Sequence, residues 1–423
     1  MKMKPMAILS GMRTPFCKAY GQATKVHAVE LGVAAVESAV LQAGLKPHDV
    51  DQVVMGNVCG PADSANIARV IALRAGIPED RIAHTVNRNC ASGMESLINS
   101  WHLLNAGRAK TIVAGGTESM SNIPMLINDE AKQLLMSLAR AKSVFRRLKI
   151  LSQLRPRHLK PVPAVMLGLT DPVCGLNMGE TAEKLATEFN ISRREQDEFA
   201  LESHREAATA RDRCFLSGEI ASLGDVTKDD GPRDNQTIDA LQKLRPIFSK
   251  DGSVTAGNSC PLTDGGAAVV LSSKDSIDVK ATRPLGYVTS YSISGCEPSR
   301  MGLGPVYATA KLLQETNLTI KDIDLFEINE AFAAQVMACL KAFESASLAN
   351  SNLGLVNAVG EIPRDKLNIN GGAIALGHPV GTTGTRMVIT LLRALREKGL
   401  RRGLATLCVG GGQGVAMILE TEV

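Results

Sequence analysis

Gly44-Leu-Lys-Pro-His-Asp-Val-Asp-Gln-Val-Val-Met-Gly56 lies without a gap over Asn317-Leu-Thr-Ile-Lys-Asp-Ile-Asp-Leu-Phe-Glu-Ile-Asn329. In both stretches a Leu and two Asp precede an apolar run with the character of a strand. The next strand–turn–helix recurs as well. Asn87-Arg-Asn-Cys90-Ala-Ser-Gly93 opens one helix, and Asn368-Ile-Asn-Gly371-Gly-Ala373 begins the matching loop further on. Met94, Leu97, Ile98, Trp101 and Leu104 share a helical face that stops at Gly107 and leads to the apolar Thr111-Ile-Val-Ala-Gly-Gly116. Met387, Val388, Leu391, Leu392 and Leu395, then Gly399 and Leu404-Ala-Thr-Leu-Cys-Val409, repeat that order. Alternating strands and helices predict an α/β fold, and the duplication predicts two like domains packed together.

The repeat divides the chain. Residues 1–120 with 257–280 form the first expected domain, 281–423 the second, and 121–256 an insertion that fits neither half. Within the insertion, Leu134, Leu138, Ala141, Phe145, Leu148 and Leu151 fall on one face of a helix expected over Glu130–Leu154. Nine Lys and Arg between Lys132 and Lys160 meet no Asp or Glu, although the net charge of the whole chain is only +4. Such a basic amphipathic segment is either a solvated face or a site of peripheral contact with an anionic membrane or a partner, through residues 130–160.

The bulk composition excludes several classes. With 44% hydrophobic, 21% charged and 3% aromatic residues, the 423-residue chain reads as a globular protein, without the aromatic surface that stacks single-stranded nucleic acid. No apolar stretch is long enough to span a membrane, and the start lacks the apolar region of a signal peptide. A cytoplasmic location is therefore expected. Nine cysteines with no CxxC pair predict reduced thiols, and most of Cys17, Cys59, Cys174, Cys214, Cys296 and Cys339 are expected to be small buried hydrophobes.

Three residues carry chemistry. Cys90 stands where a strand ends and a helix begins, so the helix N-terminus is expected to lower its thiol pKa. His378, in Gly377-His-Pro379, follows Gly371-Gly-Ala-Ile-Ala-Leu and precedes Gly381-Thr-Thr-Gly384, a run of small residues that leaves room for a ligand. Cys408 enters Cys408-Val-Gly-Gly-Gly412, which lacks a phosphate loop's Lys and leads to another strand. A nucleophilic thiol, an imidazole base and backbone N–H groups beside small residues together suggest acyl transfer through a thioester.

These motifs resemble the thiolase family over nearly the whole chain. Asn87-Arg-Asn-Cys90-Ala-Ser-Gly93 is similar to the nucleophile segment, and Asn329-Glu-Ala-Phe332 to the family's Asn-Glu-Ala-Phe. The run from Asn368 to Pro379 resembles the histidine segment, and Cys408-Val-Gly-Gly-Gly412 the C-terminal cysteine segment. The resemblance implies two duplicated α/β domains in α-β-α-β-α layers with a loop domain inserted in the first. It implies that His378 deprotonates Cys90, that Cys90 attacks a 3-ketoacyl-CoA, and that Cys408 protonates the departing acetyl-CoA enolate. It also implies two oxyanion sites, one from His378 and a water on Asn329, the other from the N–H groups of Cys90 and Gly410.

CoA is then a substrate, with Met178, Ser259 and Cys260 as candidate contacts, and neither a metal nor a redox cofactor is implied. A homodimer or homotetramer is expected, and nucleic acid is not. Acetoacetyl-specific members usually carry His where this chain has Asn177, which favours a degradative 3-ketoacyl-CoA thiolase over an enzyme that condenses two acetyl-CoA. Cys260 stands where Ser is usual. The insertion resembles the loop domain of the β subunit of the mitochondrial trifunctional protein, which works at a membrane with a hydratase/dehydrogenase partner, although that subunit has His in place of Asn329. A ketoacyl-synthase-type condensing enzyme would need a second active-site histidine there, and a non-catalytic membrane adaptor would leave the motifs without a purpose.

Overall fold

The computed structural model describes residues 3–273 and 283–422. The domain boundary expected at 280/281 lies outside the described residues. In the first half, β1 (Met6–Arg13), β2 (Gln52–Gly56), β3 (Ile82–Val86), β4 (Thr111–Ser119) and β5 (Thr263–Ser273) run side by side as β1-β5-β4-β2-β3. The pairings are antiparallel for β1/β5 and β5/β4, then parallel for β4/β2 and β2/β3.

The second half repeats this pattern with β6 (Gly286–Gly295), β7 (Leu325–Ile328), β8 (Arg402–Val409) and β9 (Gln413–Glu420), in the order β6-β9-β8-β7. The signs also match: β6/β9 and β9/β8 are antiparallel and β8/β7 is parallel. Among the described residues a counterpart of β3 survives only as a parallel bridge from Phe326 to Leu367. The two half-sheets meet where Met6–Ile8 pairs antiparallel with Gly286–Val288.

Helix Ala28–Gln42 covers the outer face of the first half-sheet, and helix Gly304–Thr316 covers that of the second. Helices Ser92–Asn105 and Thr383–Lys398 pack together between the half-sheets, completing the α-β-α-β-α layers. Their first turns almost touch. A Cβ on Gly93 would lie 2.8 Å from the Thr385 nitrogen, and one on Gly384 would lie 2.7 Å from the Met94 nitrogen, so only glycine allows this crossing. Since each helix follows a motif loop, the crossing draws the loops of Cys90 and His378 together.

The insertion leaves the sheet at Ser119 and returns opposite it at Asp264, the two being register partners in β4/β5. In the second half the equivalent strands, β8 and β9, are closed by Gly410-Gly411-Gly412 alone, with Val409 paired to Gln413. Gly411 and Gly412 have φ of 91° and 80°, which a side chain would strain.

The continuous helix expected over Glu130–Leu154 is two helices, Asp129–Arg140 and Val144–Leu151, folded against each other. The break comes at Ala141, whose backbone turns extended (ψ 116°), and the Ser143 hydroxyl caps the second helix by accepting the Arg146 N–H at 3.3 Å. Ala141 itself is buried in the bend. His158 and Arg157, each 3.0 Å from Glu130, pin the hairpin to the segment that follows it. The cysteines also differ in part from expectation. All nine are free thiols, but where most of those six are expected to be buried only Cys17 and Cys339 are, while Cys214 is exposed.

Candidate active site

Cys90 lies just before the helix that begins at Ser92, half-buried, with the backbone N–H of Gly410 near enough to favour its thiolate form. Its acidity runs against the sequence expectation. Burial raises the thiol pKa, and the N–H groups of Gly410 and of Cys90 itself only partly oppose this. Asn89, at φ 43°, donates from Nδ2 to the Gly410 carbonyl at 2.8 Å, which fixes Gly410 against the nucleophile segment. Arg88 reaches across the same junction to Gln413 at 2.9 Å.

His378 comes from the other half, in the loop between the short helix Ala373–Leu376 and helix Thr383–Lys398. Its Nδ1 lies 2.6 Å from Thr383 Oγ1, which is itself 3.1 Å from the Pro379 carbonyl. A hydroxyl has one proton and a carbonyl can only accept. Thr383 therefore donates to Pro379, Nδ1–H donates to Thr383, and Nε2 is left with its lone pair. That Nε2 is buried without a protein partner. Burial, and then the Arg386 charge, hold the imidazole at about 4, so it is neutral at physiological pH.

The Asn329 backbone N–H donates to Thr406 at 3.0 Å, two residues before Cys408 on the neighbouring strand. Its side chain is wholly buried, yet neither Oδ1 nor Nδ2 has a protein partner. Buried amides are seldom left unpaired, so these atoms and His378 Nε2 are places where a substrate oxygen or a water is wanted. Cys408, at the end of β8, has its thiol raised well above the ordinary range by burial and then by the neighbouring Cys90, Cys339 and Cys260.

Of the candidate CoA contacts, Met178 begins helix Met178–Glu188, and its sulfur lies 3.5 Å from where a Cβ on Gly410 would stand. Ser259 is turned inward, donating to the Thr255 carbonyl at 2.7 Å. Cys260 is pushed up to about 12 by burial and then by Cys90, which puts its thiol near the nucleophile. The His378 N–H reaches the Pro261 carbonyl at 3.3 Å, so the segment 259–261 lies between the two halves of the site. Asn177 caps helix Met178–Glu188, accepting the Glu180 N–H at 3.0 Å and donating to its carboxylate at 2.7 Å.

Sequence reading missed Thr383, Asn89 and two buried carboxylates. Glu118 accepts backbone N–H groups from Val58, Cys59 and Gly381. Glu330 accepts from Ser203, Asn368 and Ile374 directly behind Asn329. The available signals were a hydroxyl five residues after His378, an acid inside the apolar strand that ends at Ser119, and the Glu of Asn329-Glu-Ala-Phe332.

The N-terminal domain of thiolases matches residues 6–275, and the C-terminal domain matches 282–421. A 3-ketoacyl-CoA thiolase from Photorhabdus laumondii is 42% identical, across 99% of this chain and 97% of its own. One from Yersinia enterocolitica is 40% identical with the same coverage. The crystal structure of a Bacillus anthracis acetyl-CoA acetyltransferase superposes with a TM-score of 0.87 at 36% identity, over 99% of both chains. That of human mitochondrial 3-ketoacyl-CoA thiolase, also solved with CoA, gives 0.85 at 34%, over 99% of this chain and 98% of the other. With its two halves matched in order and relatives aligned over nearly their full lengths, the chain belongs to the thiolase family.

Proposed function

We propose that the chain cleaves a 3-ketoacyl-CoA with CoA, giving acetyl-CoA and a shortened acyl-CoA through an acyl-Cys90 intermediate. The observation that carries this reading is the set of unpartnered buried atoms, His378 Nε2 and the Asn329 amide, in the half whose histidine loop the crossing of the two motif helices draws toward Cys90. A raised thiol and a lowered imidazole make a neutral pair at rest, so the proton passes from Cys90 to Nε2 as the sulfur attacks the keto carbon. The bond between the α and β carbons then breaks, with its electron pair going to the α carbon. Cys408, protonated because its pKa is high, supplies the proton that completes acetyl-CoA.

The incoming CoA thiol gives its proton to the Cys408 thiolate and attacks the acyl-Cys90 ester, and Cys90 recovers its proton from His378. His378 and an Asn329-bound water stabilise one oxyanion, and the N–H groups of Cys90 and Gly410 the other. No step needs a metal or a redox group. Met178 beside Gly410, together with the 259–261 segment, is the expected boundary of the CoA arm. Loss of absorbance from 3-ketoacyl-CoA on adding CoA, measured as kcat/KM across chain lengths, tests the reading. A preference confined to four carbons favours the acetoacetyl-CoA enzyme instead, and no turnover at any length rejects both.

The exposed edge strand β3, with Ile82 61% exposed, supports self-association, because an unpaired strand edge invites a partner strand. A second feature supports peripheral contact with an anionic membrane. On the basic hairpin, Val144, Phe145 and Leu148 are 69%, 85% and 58% exposed beside Arg146, Arg147 and Lys149. Among the described residues no helix is long and apolar enough to cross a membrane, so the hairpin would lie on the surface.

A further inference from the structure

Glu118, next to last in β4 and wholly buried, holds two loops at once. Its Oε1 accepts Asn57 Nδ2 at 3.1 Å and the Cys59 N–H at 3.0 Å, and its Oε2 accepts the Val58 N–H at 3.0 Å and the Gly381 N–H at 2.9 Å. Residues 57–59 belong to the first half. The Asn57 N–H donates to Val86 at 3.2 Å, at the end of the strand that leads to Cys90. Gly381 belongs to the second half, inside the turn in which the Thr382 and Thr383 N–H groups both close on the Pro379 carbonyl, at 2.8 and 3.1 Å. That turn begins at His378 and ends at the hydroxyl that sets its tautomer.

Resting on the thiolase reading above, the geometry points to Glu118 as a positioning residue that fixes the His378 turn of one half against the Cys90 approach of the other. All four of these partners are donors, two on each oxygen, an arrangement that suits an ionised carboxylate. A glutamine would turn its amide N–H groups toward two of these donors and lose both contacts. The titratable groups facing Glu118 are the Cys59 and Cys90 thiols; burial raises both, and the Glu118 charge raises them further. Among the described residues it has no cationic partner, and burial, partly opposed by the backbone N–H groups, holds it at about 7. Its charge thus adds to the effect of burial on the Cys90 thiol, while its oxygens keep the base in register.

The test is Glu118→Gln in the full chain, with turnover normalised to the Cys90 sites that iodoacetamide alkylates. Thiolysis kcat per alkylatable site is expected to fall about tenfold to a hundredfold with KM within about twofold, since small misplacements of a catalytic group cost that much. The pH midpoint of alkylation should move down as the negative charge is lost. A carboxylate that only stabilised the fold would lower Tm and the number of titratable sites. Wild-type kcat per site with an unshifted alkylation profile would overturn the proposal. Should Glu118→Gln not fold, Asn57→Ala removes one donor, and hydrogen exchange at residues 377–385 should accelerate. Faster exchange confined to 57–59 would overturn it too. If wild type cleaves no 3-ketoacyl-CoA, the thiolase reading fails by itself, and alkylation and exchange still decide the role of Glu118.

Discussion

Asn89 Nδ2 donates to the carbonyl of Gly410 at 2.8 Å, tying the residue before the nucleophile to the glycine whose N–H favours the Cys90 thiolate. The two residues come from opposite halves of the repeat. Asn89→Ala should lower kcat about tenfold by freeing the Gly410 peptide to rotate, a fraction of the loss seen when an oxyanion donor is removed outright. Alanine at the left-handed φ of 43° should also cost about 1 kcal/mol in stability. Asn89→Gly separates the effects, because it loses the same hydrogen bond without strain. Stopped-flow acylation rates beside urea unfolding curves give the comparison.

The two cysteines divide the reaction. Cys90→Ala should form no acyl-enzyme, whereas Cys408→Ala should still accept an acyl group from an acyl-CoA, more slowly because the leaving CoA lacks its proton donor, and should fail when a carbon–carbon bond is made or broken. Mass spectrometry of the protein after exposure to acyl-CoA, alongside thiolysis rates, distinguishes the partial reactions. Normal thiolysis by Cys408→Ala would remove it from the mechanism.

Thr383→Val keeps the shape of the side chain and removes the acceptor for His378 Nδ1–H. The imidazole then loses the bond that sets its tautomer, and kcat should fall about a hundredfold, within the ordinary range for general-base catalysis. Thr383→Ser should recover most of the rate. Equal loss in both variants would mean that the hydroxyl is not what matters.

Burial, then the charges of Arg233 and Lys18, hold His204 at about 4, against 6.5 for a free imidazole. Between those values the unfolded chain binds a proton that the folded chain does not, so His204 makes stability rise with pH across the window and fall as the solution is acidified. Glu118 and Glu327, held at about 7, act in the opposite sense: their contribution fades as pH rises through the range from 4.5 to 7. Urea unfolding at about pH 5 and about pH 7.5 should therefore show a smaller acid-side loss for His204→Gln than for wild type.

Phe145→Glu with Leu148→Glu should abolish co-sedimentation with vesicles rich in anionic lipid while leaving thiolysis unchanged, since neither side chain packs into a core. Retained binding at low salt by the double variant would exclude the hairpin as the contact.

The duplication was readable because it rests on many residues: paired Asp positions, two helical stripes and glycine turns recur in the same order. The motif residues Cys90, His378 and Cys408 were readable for a related reason, each lying among small residues that a solvated loop has no need to keep. Thr383 and Glu118 were not, because one hydroxyl or one acid carries no periodicity and gains meaning only from partners in the other half. The acidity of Cys90 was misjudged because a helix terminus is a local feature, whereas burial depends on what the rest of the chain lays over it. The broken hairpin helix had a local sign in Ser143, a good cap in the middle of a run whose apolar spacing continues past it.

The insertion departs at Ser119 and rejoins at Asp264, its direct cross-strand neighbour, while the other half spans the same gap with three glycines. The sheet itself therefore closes without regard to how long that excursion is. The hairpin of residues 129–151 can be lengthened, shortened or exchanged, altering what the catalyst docks onto, whereas Ser203 behind Glu330, Pro261 against His378 and the buried pairs of Arg13 with Glu219 and Asp229 tie other parts of the excursion to the body and to the reacting groups.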